Sequence, residues 1–372
     1  MTLRPKQVGR ISQGRIAMKR SLFGLAALLA ACAPASAQFY KDKTLTLLVN
    51  YGAGGNADTD ARLLARHWPR HVAGAPNIVV QNLPGAGGLR AMNVLGLKAR
   101  ANPDGFIGGF FTVSPTPPLV EDPGLQINMV EDFIPIGGAR GWTIAYARKD
   151  IAPGLKTPED IAKAKKVFIG GYSRASSHDT RLRLALEVMD VPFSAVTGFP
   201  AQSDIVKAML QNEVNMSASS LPGYLALVRA NIITPGIGIP LWHYDVIGPD
   251  GKPAGNPDLH AMGIPLFSEV YQKAYGKPAS GPKFEALLQL NNIGTSLQRG
   301  VFLPRGAPPE AVEALRRGYD LVVKDPAYIA EYEKVNNEKP DAVNAAVIQS
   351  VFEAMQKVTP EVRAVLKAAV AE

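Results

Sequence analysis

The sequence of 372 residues has a single cysteine, Cys32, which lies in an N-terminal apolar segment. A chain with one cysteine has no internal disulfide framework and no CxxC motif. No triplet of its histidines has the spacing of metal ligands. After residue 37, no apolar run reaches the roughly 20 residues that a transmembrane helix needs. The sequence therefore predicts no structural disulfide, no metal centre and no cofactor.

The chain also has little net charge once its N-terminus is set aside. Residues 1–37 contain six Lys and Arg and no acid, so the formal net charge falls from +8 to +2 without them. The rest of the chain has no basic tail or stripe of the kind that neutralises phosphates. We therefore expect no nucleic acid as a partner.

The N-terminus has the three parts of a secretory signal peptide. Lys19 and Arg20 precede the apolar run 22–31, and Ala35-Ser36-Ala37 forms an A-x-A cleavage site. The segment 29–32 also fits a lipoprotein box, in which Cys32 would become the lipidated first residue, and the start codon could encode Met1 or Met18. We favour cleavage after Ala37 because a strand begins soon afterwards. Either form is exported, which predicts a periplasmic protein.

The remaining 335 residues are too many for one core and suit two α/β domains. Short apolar strands alternate with amphipathic helices, a pattern typical of parallel sheets covered by helices. In the first half, strands are predicted at 44–51, 77–81 and 105–112, glycine turns at 52–56 and 84–88, and helices at 57–68 and 89–98. In the second half, strands are predicted at 167–171, 194–197, 214–218 and 232–237, and helices at 179–189 and 203–211.

The end of the chain predicts a discontinuous first domain. A strand at 301–303 and a helix from residue 307 are followed by two further helices, which need a sheet to cover. We expect them on the first domain, so that residues 38–143 and 296–372 form domain 1 and residues 144–295 form domain 2. The hinge is expected at 142–147 and 291–299.

Two glycine turns are the strongest candidates for a binding site. Each joins the end of a strand to the start of a helix, where free backbone N–H groups and the helix dipole attract anions. In open α/β sheets such ligands lie beyond the strand ends. The turns are YGAGGNAD at 51–58 and NLPGAGG at 82–88. A single turn of this kind is explained by glycine's tolerance of positive φ alone, whereas two in consecutive units favour one shared site.

Two enzyme classes also have partial motifs. Residues 52–57 match the dinucleotide pattern G-x-G-x-x-A, but the acid required about 20 residues later is replaced by Gln81 and Asn82. Ser173 lies in a G-x-S-x-A segment, one residue short of a hydrolase nucleophile elbow, with His243 and His260 as candidate bases. His178 either binds a ligand or, as is more common for a loop histidine, is solvated.

Three charged residues lie beside the predicted site. Asp58 either complements the dipole of the first helix or accepts a hydrogen bond from a ligand. Arg174 and Arg181 either pair with a distal ligand carboxylate or are ordinary surface charges. The sequence alone leaves both alternatives open.

The chain resembles the receptor proteins of tripartite tricarboxylate transporters, the Bug family, along nearly its whole mature length. The similarity begins with FYKDKTLTLLVNYGAGGNADTDARLLARHW, VVQNLPGAGGLRAMNVL and ANPDGFIGGFF. It continues in the same order with LKTPEDIAKAKK, GFPAQSDIVKAMLQNEVN and GVFLPRGAPPEAVEALRRGYDLVVKDPAY. Each motif is weak by itself, but the ordered set is specific.

The resemblance implies a type II periplasmic-binding-protein fold, with two doubly wound α/β domains joined by crossing hinge strands. A carboxylate would be clamped between the domains without catalysis and delivered to membrane permease subunits, and we expect a monomer. A periplasmic sensor that binds the same ligand is the alternative. The implied first-domain ligand residues are Tyr51, Gly54, Gly55, Asn56, Asp58, Ala86, Gly87, Gly88, Thr112 and Ser114. Those of the second domain are Ser173, Ser176, Ser177, Pro200, Ala201 and Ser203, and Arg174 is added to the candidates for its charge rather than from the resemblance.

Two departures from the family pattern leave the ligand open. Tyr51-Gly52-Ala53 replaces a proline-rich first loop, and the second-domain loop GYSRASSHDTRL carries more charge than is usual. Because these positions would select the ligand, dicarboxylates, amino acids and aromatic acids all remain candidates.

Overall fold

The structure is a computed structural model that describes residues 1–2, 39–248, 250 and 252–371. The predicted signal peptide, with Cys32 and both cleavage sites, lies outside the described residues. None of the described helices is both long and apolar enough to cross a membrane.

The described chain forms two large mixed sheets and a small two-stranded antiparallel sheet. One has six strands in the order β13-β4-β12-β3-β1-β2, and the other has five in the order β7-β6-β8-β5-β9. The strands are β1 (Thr44–Val49), β2 (Asn77–Asn82), β3 (Ile107–Thr112), β4 (Phe133–Ala139), β5 (Thr143–Arg148), β6 (Val167–Gly170), β7 (Phe193–Val196), β8 (Met216–Ser220), β9 (Gly238–His243), β10 (Val246–Ile247), β11 (Pro253–Ala254), β12 (Arg299–Pro304) and β13 (Ala342–Asn344).

Helices cover both sheets. We call the six-stranded sheet with its helices the first lobe, and the five-stranded sheet with its helices the second lobe. The helices are α1 (Asn56–His67), α2 (Leu89–Ala101), α3 (Thr116–Val120), α4 (Met129–Asp132), α5 (Ser177–Val188), α6 (Gln202–Leu210), α7 (Leu221–Gly223), α8 (Pro257–Ala261), α9 (Phe267–Tyr275), α10 (Pro282–Ser296), α11 (Pro309–Val322), α12 (Pro326–Asn336), α13 (Ala345–Gln356) and α14 (Pro360–Ala371).

The two predicted strand, turn and helix units are confirmed. The parallel pairs β1 with β2 and β1 with β3 place three strand ends, and therefore both glycine turns, at one edge of the first sheet. On one face of this sheet Phe111, Phe133 and Phe302 pack within about 6 Å of one another, centroid to centroid. Gly109 makes room for these rings, since a Cβ there would lie 2.3 Å from Phe111.

The strand predicted at 232–237 is wrong. Helix α7 continues as a π-helix over Tyr224–Ile233, and the strand β9 begins only at Gly238. Leu225, Val228 and Ile232 are buried at helical spacing, so the β-branched residues near 232 belong to a buried helical face rather than to a strand.

The chain passes between the lobes at two adjacent segments. It leaves β4 for β5 through residues 140–142 and returns from α10 to β12 through residues 297–298. The two segments are hydrogen-bonded to each other, because Gly141 N donates to Thr295 O (3.1 Å) and the Gln298 side chain donates to Trp142 O (3.2 Å). The predicted hinge and domain ranges stay predictions, but these segments lie within or beside them.

Three helices, rather than the two expected, follow α11. Helix α12 packs on α1 and α13 packs on β4, both in the first lobe as expected. Helix α14 differs, because it packs against α5 and α10 of the second lobe as well as α3 of the first. The expectation that the last helix covers only the first domain is therefore wrong: its apolar face fills the space between helices of both lobes.

Candidate functional site

A cavity lies between the two lobes at the strand ends of the first sheet. The space unoccupied by protein atoms there is about 470 Å³, which includes space open to solvent. First-lobe residues that line it are Tyr51, Gly55, Asn56, Ala57, Thr112 and Arg299, and second-lobe residues are Tyr172, His178, Ala201, Gln202, Ser219 and Ser220.

The first glycine turn is organised by Asp58. The Asp58 carboxylate accepts a hydrogen bond from Gly54 N (2.9 Å) and pairs with Arg62 of the next helical turn (2.9 Å). Burial alone would raise the pKa of Asp58, but the contacts with Arg62 and Gly54 N outweigh it and hold the pKa below its usual value. Asp58 does not line the cavity, so the structure favours the first of its two predicted roles, as an acid that stabilises the start of α1.

The second glycine turn contacts the second lobe rather than the cavity. Four successive residues from Gly85 to Gly88 have positive φ, which turns the chain tightly before α2. The Tyr51 hydroxyl donates to Gly87 O (3.0 Å), linking the two turns. A Cβ added at Gly87 would lie 2.2 Å from Ser173 Oγ of the second lobe. This turn therefore forms part of the contact between the lobes.

Arg299 is the charged residue of the cavity wall that the sequence analysis missed. It begins β12, opposite Thr112 of β3, and its side chain is 9% exposed. Its Nε lies 3.4 Å from Asp60 Oδ2, while the Asn336 side chain donates to Asp60 Oδ1 (3.0 Å). Burial raises the pKa of Asp60, although Arg299 and Asn336 oppose this shift.

His178 faces Arg299 from the second lobe. The prediction of a solvated loop histidine is wrong, because His178 lies in the first turn of α5 and lines the cavity. Burial, together with the positive charges of Arg181 and Arg299, lowers its pKa to about 3, so its imidazole is neutral at physiological pH. Its ring packs edge-on against Tyr172, with centroids 5.8 Å apart.

Three polar side chains from both lobes converge around Gly223, and we call Asn56, Ser219 and Ser220 the donor cluster. A Cβ added at Gly223 would lie 2.5 Å from Ser219 Oγ, 3.0 Å from Asn56 Nδ2 and 3.3 Å from Ser220 Oγ. Asn56 Nδ2, Ser219 Oγ and His178 Nδ1 are buried and form no hydrogen bond with any residue that the structure describes. Buried polar groups in native proteins are nearly always hydrogen-bonded, so these atoms point to a ligand or ordered solvent.

Direct contacts hold the lobes closed around this cavity. Ser114 of the first lobe and Ser177 of the second are 2.9 Å apart, Oγ to Oγ, and Thr116 Oγ1 lies 2.9 Å from Ser177 Oγ. Gly52 N donates weakly to Pro200 O (3.4 Å). The rings of Tyr51 and Tyr172 meet edge to face, 5.1 Å apart.

The predicted ligand residues thus fall into several groups. Those that line the cavity are Tyr51, Gly55, Asn56, Thr112 and Ala201. Those in contacts between the lobes are Gly87, Ser114, Ser173, Ser177 and Pro200. Two of the others, Gly54 and Gly88, shape turns, and Ser176 caps α5. Ser203 lies in the first turn of α6. A separate groove is lined by Ala86 and Arg174.

Neither predicted arginine of the second lobe lines the cavity. Arg174 is exposed and donates to Ala371 O at the end of α14 (3.1 Å). Arg181 is buried, not at the surface, and donates to Thr143 Oγ1 (3.0 Å) beside the first crossing between the lobes. The missed cavity residues are Ala57, Tyr172, His178, Gln202, Ser219, Ser220 and Arg299.

Both histidines named as bases for the hydrolase alternative have other partners, and His260 lies with Nε2 3.2 Å from both carboxylate oxygens of Glu269. His243 is fully buried, with Nδ1 2.9 Å from Ile264 O and Nε2 accepting from Asn256 N (3.1 Å), so neither nitrogen can accept a proton from Ser173. Within the part of the chain that the structure describes, no three His, Cys, Asp or Glu side chains form a group that could hold a metal ion.

The family resemblance predicted from the sequence is confirmed by comparison with known proteins. No family model matches the chain. A UPF0065 protein from the TAR-I ttuE-ttuC' intergenic region of Agrobacterium vitis is 31% identical over 179 residues, which is 45% of this chain and 49% of that protein. The chain spans about half to just under two thirds of the length of the curated relatives that it matches.

Solved structures of Bug and TctC periplasmic binding proteins have the same two-lobed α/β fold. The periplasmic binding protein BugD matches with a TM-score of 0.65 and 19% identity, over 89% of this chain and 98% of that one. MatC from Rhodopseudomonas palustris, solved with bound malate, matches with a TM-score of 0.63 and 18% identity, over 88% and 99%. A second R. palustris protein, solved with adipate, matches with a TM-score of 0.60 and 18% identity, over 84% and 93%. These neighbours confirm the predicted fold.

Proposed function

We propose that this protein is a non-enzymatic periplasmic solute-binding receptor of the Bug type, which captures a small carboxylate between its lobes and delivers it to a tripartite tricarboxylate-type permease. The observation that carries the proposal is the cavity between the lobes, where buried polar atoms of both lobes converge without a hydrogen-bond partner among the described residues. Pockets of this kind, apolar with a few convergent polar groups, are typical of small-molecule sites.

The chemistry of the wall favours an anionic ligand rich in hydrogen-bond acceptors. The Asn56 amide nitrogen and the Arg299 guanidinium can only donate, and the Ser219 and Ser220 hydroxyls can do so. His178 is neutral and can also donate from one nitrogen. A carboxylate accepts several hydrogen bonds and gains further from a cationic donor. The malate and adipate bound by two structural neighbours belong to this class.

Capture would occur by closure of the lobes about the two crossing segments. In an open form the first turn would present Gly55, Asn56 and the start of α1 to solvent, and the ligand would dock there. Movement of the second lobe would then bring Tyr172, His178 and Ala201 against it and form the contacts between Ser114 and Ser177. Such hinge closure is a common mode of ligand capture by two-domain proteins.

Thermal denaturation with a panel of acids tests this proposal. The panel is malate, succinate, adipate, citrate, aspartate and benzoate. A ligand at 100 times its dissociation constant stabilises the folded form by about 2.7 kcal/mol. We expect at least one carboxylate to raise the melting temperature, and Ser219→Ala to weaken that effect, whereas Ser203→Ala, outside the cavity, leaves it unchanged. A panel without any stabilising acid would contradict the proposal.

Delivery to a permease has its own test. Uptake of a labelled ligand should require both this protein and the permease subunits when they are produced together in a host that lacks them. Ligand binding with no dependent uptake, but with a transcriptional response to the ligand, would instead indicate a periplasmic sensor.

A further inference from the structure

We propose that Arg299 forms a direct ion pair with a carboxylate at one end of the ligand, while the donor cluster of Asn56, Ser219 and Ser220 binds an acceptor group at the other end. The preferred substrates are then dicarboxylates or hydroxycarboxylates rather than acids with an apolar tail. This inference rests on the proposed function and adds the residues that determine ligand selectivity.

The Arg299 guanidinium has unused donors that face the cavity. Of its five N–H groups, Nε donates to Asp60 (3.4 Å) and one on Nη1 donates to Gln298 O (3.5 Å). The other three have no hydrogen bond with any described residue. Both existing hydrogen bonds are long, so Asp60 and Gln298 hold the guanidinium only loosely. A carboxylate could therefore bind it in a bidentate manner with little loss of these bonds.

Arg299 is also the single permanently charged side chain among the described residues that line the cavity. Its positive charge extends across the cavity and acts on the ionisation of Tyr51, Tyr172 and His178. The Asp60 carboxylate, which compensates this charge, lies behind Arg299 and is held there by Asn336. Asp60 and Asn336 are therefore positioning residues, which keep the guanidinium turned to the cavity without occupying it.

Among the described residues, the other side chains that can donate into the cavity are uncharged. The donor cluster surrounds Gly223, whose missing side chain leaves space between Asn56 of the first lobe and the two serines of the second. Ser219 is 1% exposed and its hydroxyl has no partner among the described residues. Neutral donors of this kind can bind a hydroxyl, carbonyl or carboxylate oxygen. The ligand group at the donor cluster can therefore vary, whereas the group at Arg299 must be a carboxylate.

Titration calorimetry with acid and amide pairs tests the assignment. The probes are succinate, L-malate and adipate, with the monoamide and diamide of succinate and adipate. We expect wild-type protein to bind a diacid or its monoamide at least about 30-fold more tightly than the diamide, because only the first two have a carboxylate for Arg299. Diamide binding as tight as diacid binding would overturn the inference without any variant.

Variants of Arg299 test whether this side chain causes the preference for an acid over its amide. Arg299→Gln should weaken diacid binding by about 30-fold or more and reduce the difference between monoamide and diamide to less than about 3-fold, whereas Arg299→Lys should retain part of it. Arg305→Gln is the matched control: Arg305 follows the same strand, and among the described residues its side chain donates to Glu131 O and Val130 O, outside the cavity. Circular dichroism and gel filtration verify that each variant is folded.

The outcomes separate the two proposals. If wild-type protein binds none of the acids, the proposed receptor function fails. If it binds them and Arg299→Gln preserves the full preference for an acid over its amide, only the Arg299 assignment fails. Loss of that preference in Arg299→Gln, with part of it retained in Arg299→Lys and all of it in Arg305→Gln, supports the assignment.

Discussion

Gly87 of the first lobe lies directly against Ser173 of the second, and a Cβ at Gly87 would come within 2.2 Å of the serine hydroxyl. The backbone of Gly87 also has φ 62°, which side chains rarely adopt. The lobes can therefore approach this closely only because the residue at 87 has no side chain.

We predict that Gly87→Ala weakens ligand binding by roughly 5-fold to 100-fold, because the added methyl group opposes closure at a cost typical of overpacking. Gly276→Ala is the matched control. Gly276 has a similar φ of 68° but no atom within 4 Å of an added Cβ, so this change should lower stability while binding is preserved. Small-angle scattering with saturating ligand should show a larger radius of gyration for Gly87→Ala. Equal binding by both variants would contradict the prediction.

The hydroxyl of Ser177 links the lobes through Ser114 and Thr116. We predict that Ser177→Ala weakens binding of a diacid about 3-fold to 10-fold, since a net hydrogen bond contributes about 1 kcal/mol. Ser350→Ala, which removes a hydroxyl that bonds only within α13, should bind as wild type does. Titration calorimetry compares the two, and equal affinities would rule out a role for this contact in closure.

Asp179 makes the stability of the folded protein depend on pH, and comparison with Asp179→Asn isolates its contribution. Burial raises its pKa to about 6, even though its carboxylate accepts a hydrogen bond from Ser173 N (2.8 Å). Between about pH 4 and pH 6 the folded protein therefore holds a proton that the unfolded chain releases, and this group's contribution to stability falls as pH rises. We predict that Asp179→Asn gains in melting temperature relative to wild type as pH rises from 4 to 7. A difference that is constant over this range would show that Asp179 has an ordinary pKa.

Arg183 is buried, at 1% exposed, and donates to Arg174 O (2.9 Å) and to Ala369 O in α14 (3.3 Å). We predict that Arg183→Met lowers the free energy of unfolding by about 1–3 kcal/mol, because two hydrogen bonds from a charged donor are lost. Hydrogen exchange in α14 should accelerate. Lys367→Met, which breaks an exposed ion pair with Glu121, should change stability by less than about 1 kcal/mol.

Local sequence signals predicted the elements but not which of their residues meet. Strand and helix periodicity placed β1 to β3, α1 and α2 within a few residues, and the glycine turns placed Gly55 and Asn56 at the cavity. Asp58 lies in the first of these turns and Arg174 in the second-lobe loop after β6, yet neither lines the cavity. Which side of a turn reaches the ligand depends on the packing of the opposite lobe, and local sequence does not encode that.

Arg299 was missed because its neighbours in space are distant in sequence. It meets Asp60 across 239 positions, after the chain has crossed to the second lobe and returned. One signal was present: an arginine opening the otherwise apolar strand RGVFLP is unusual, because a buried charge requires a partner or a function. His178 had a comparable signal, since Ser176 caps α5 and places residue 178 in its first turn.

Helix α14 contacts both lobes outside the cavity. This placement separates the overall affinity for ligands from the selectivity among them. For a ligand that binds only the closed form, the apparent dissociation constant is the intrinsic constant divided by the fraction of molecules already closed. Substitutions that alter the contacts of α14 are expected to change that fraction and so the affinity for every ligand alike, whereas Arg299 and the donor cluster are proposed to determine which ligand is preferred. In the proposed receptor, substitutions on the outer surface would therefore adjust the solute concentration at which binding occurs without changing the solute that is recognised.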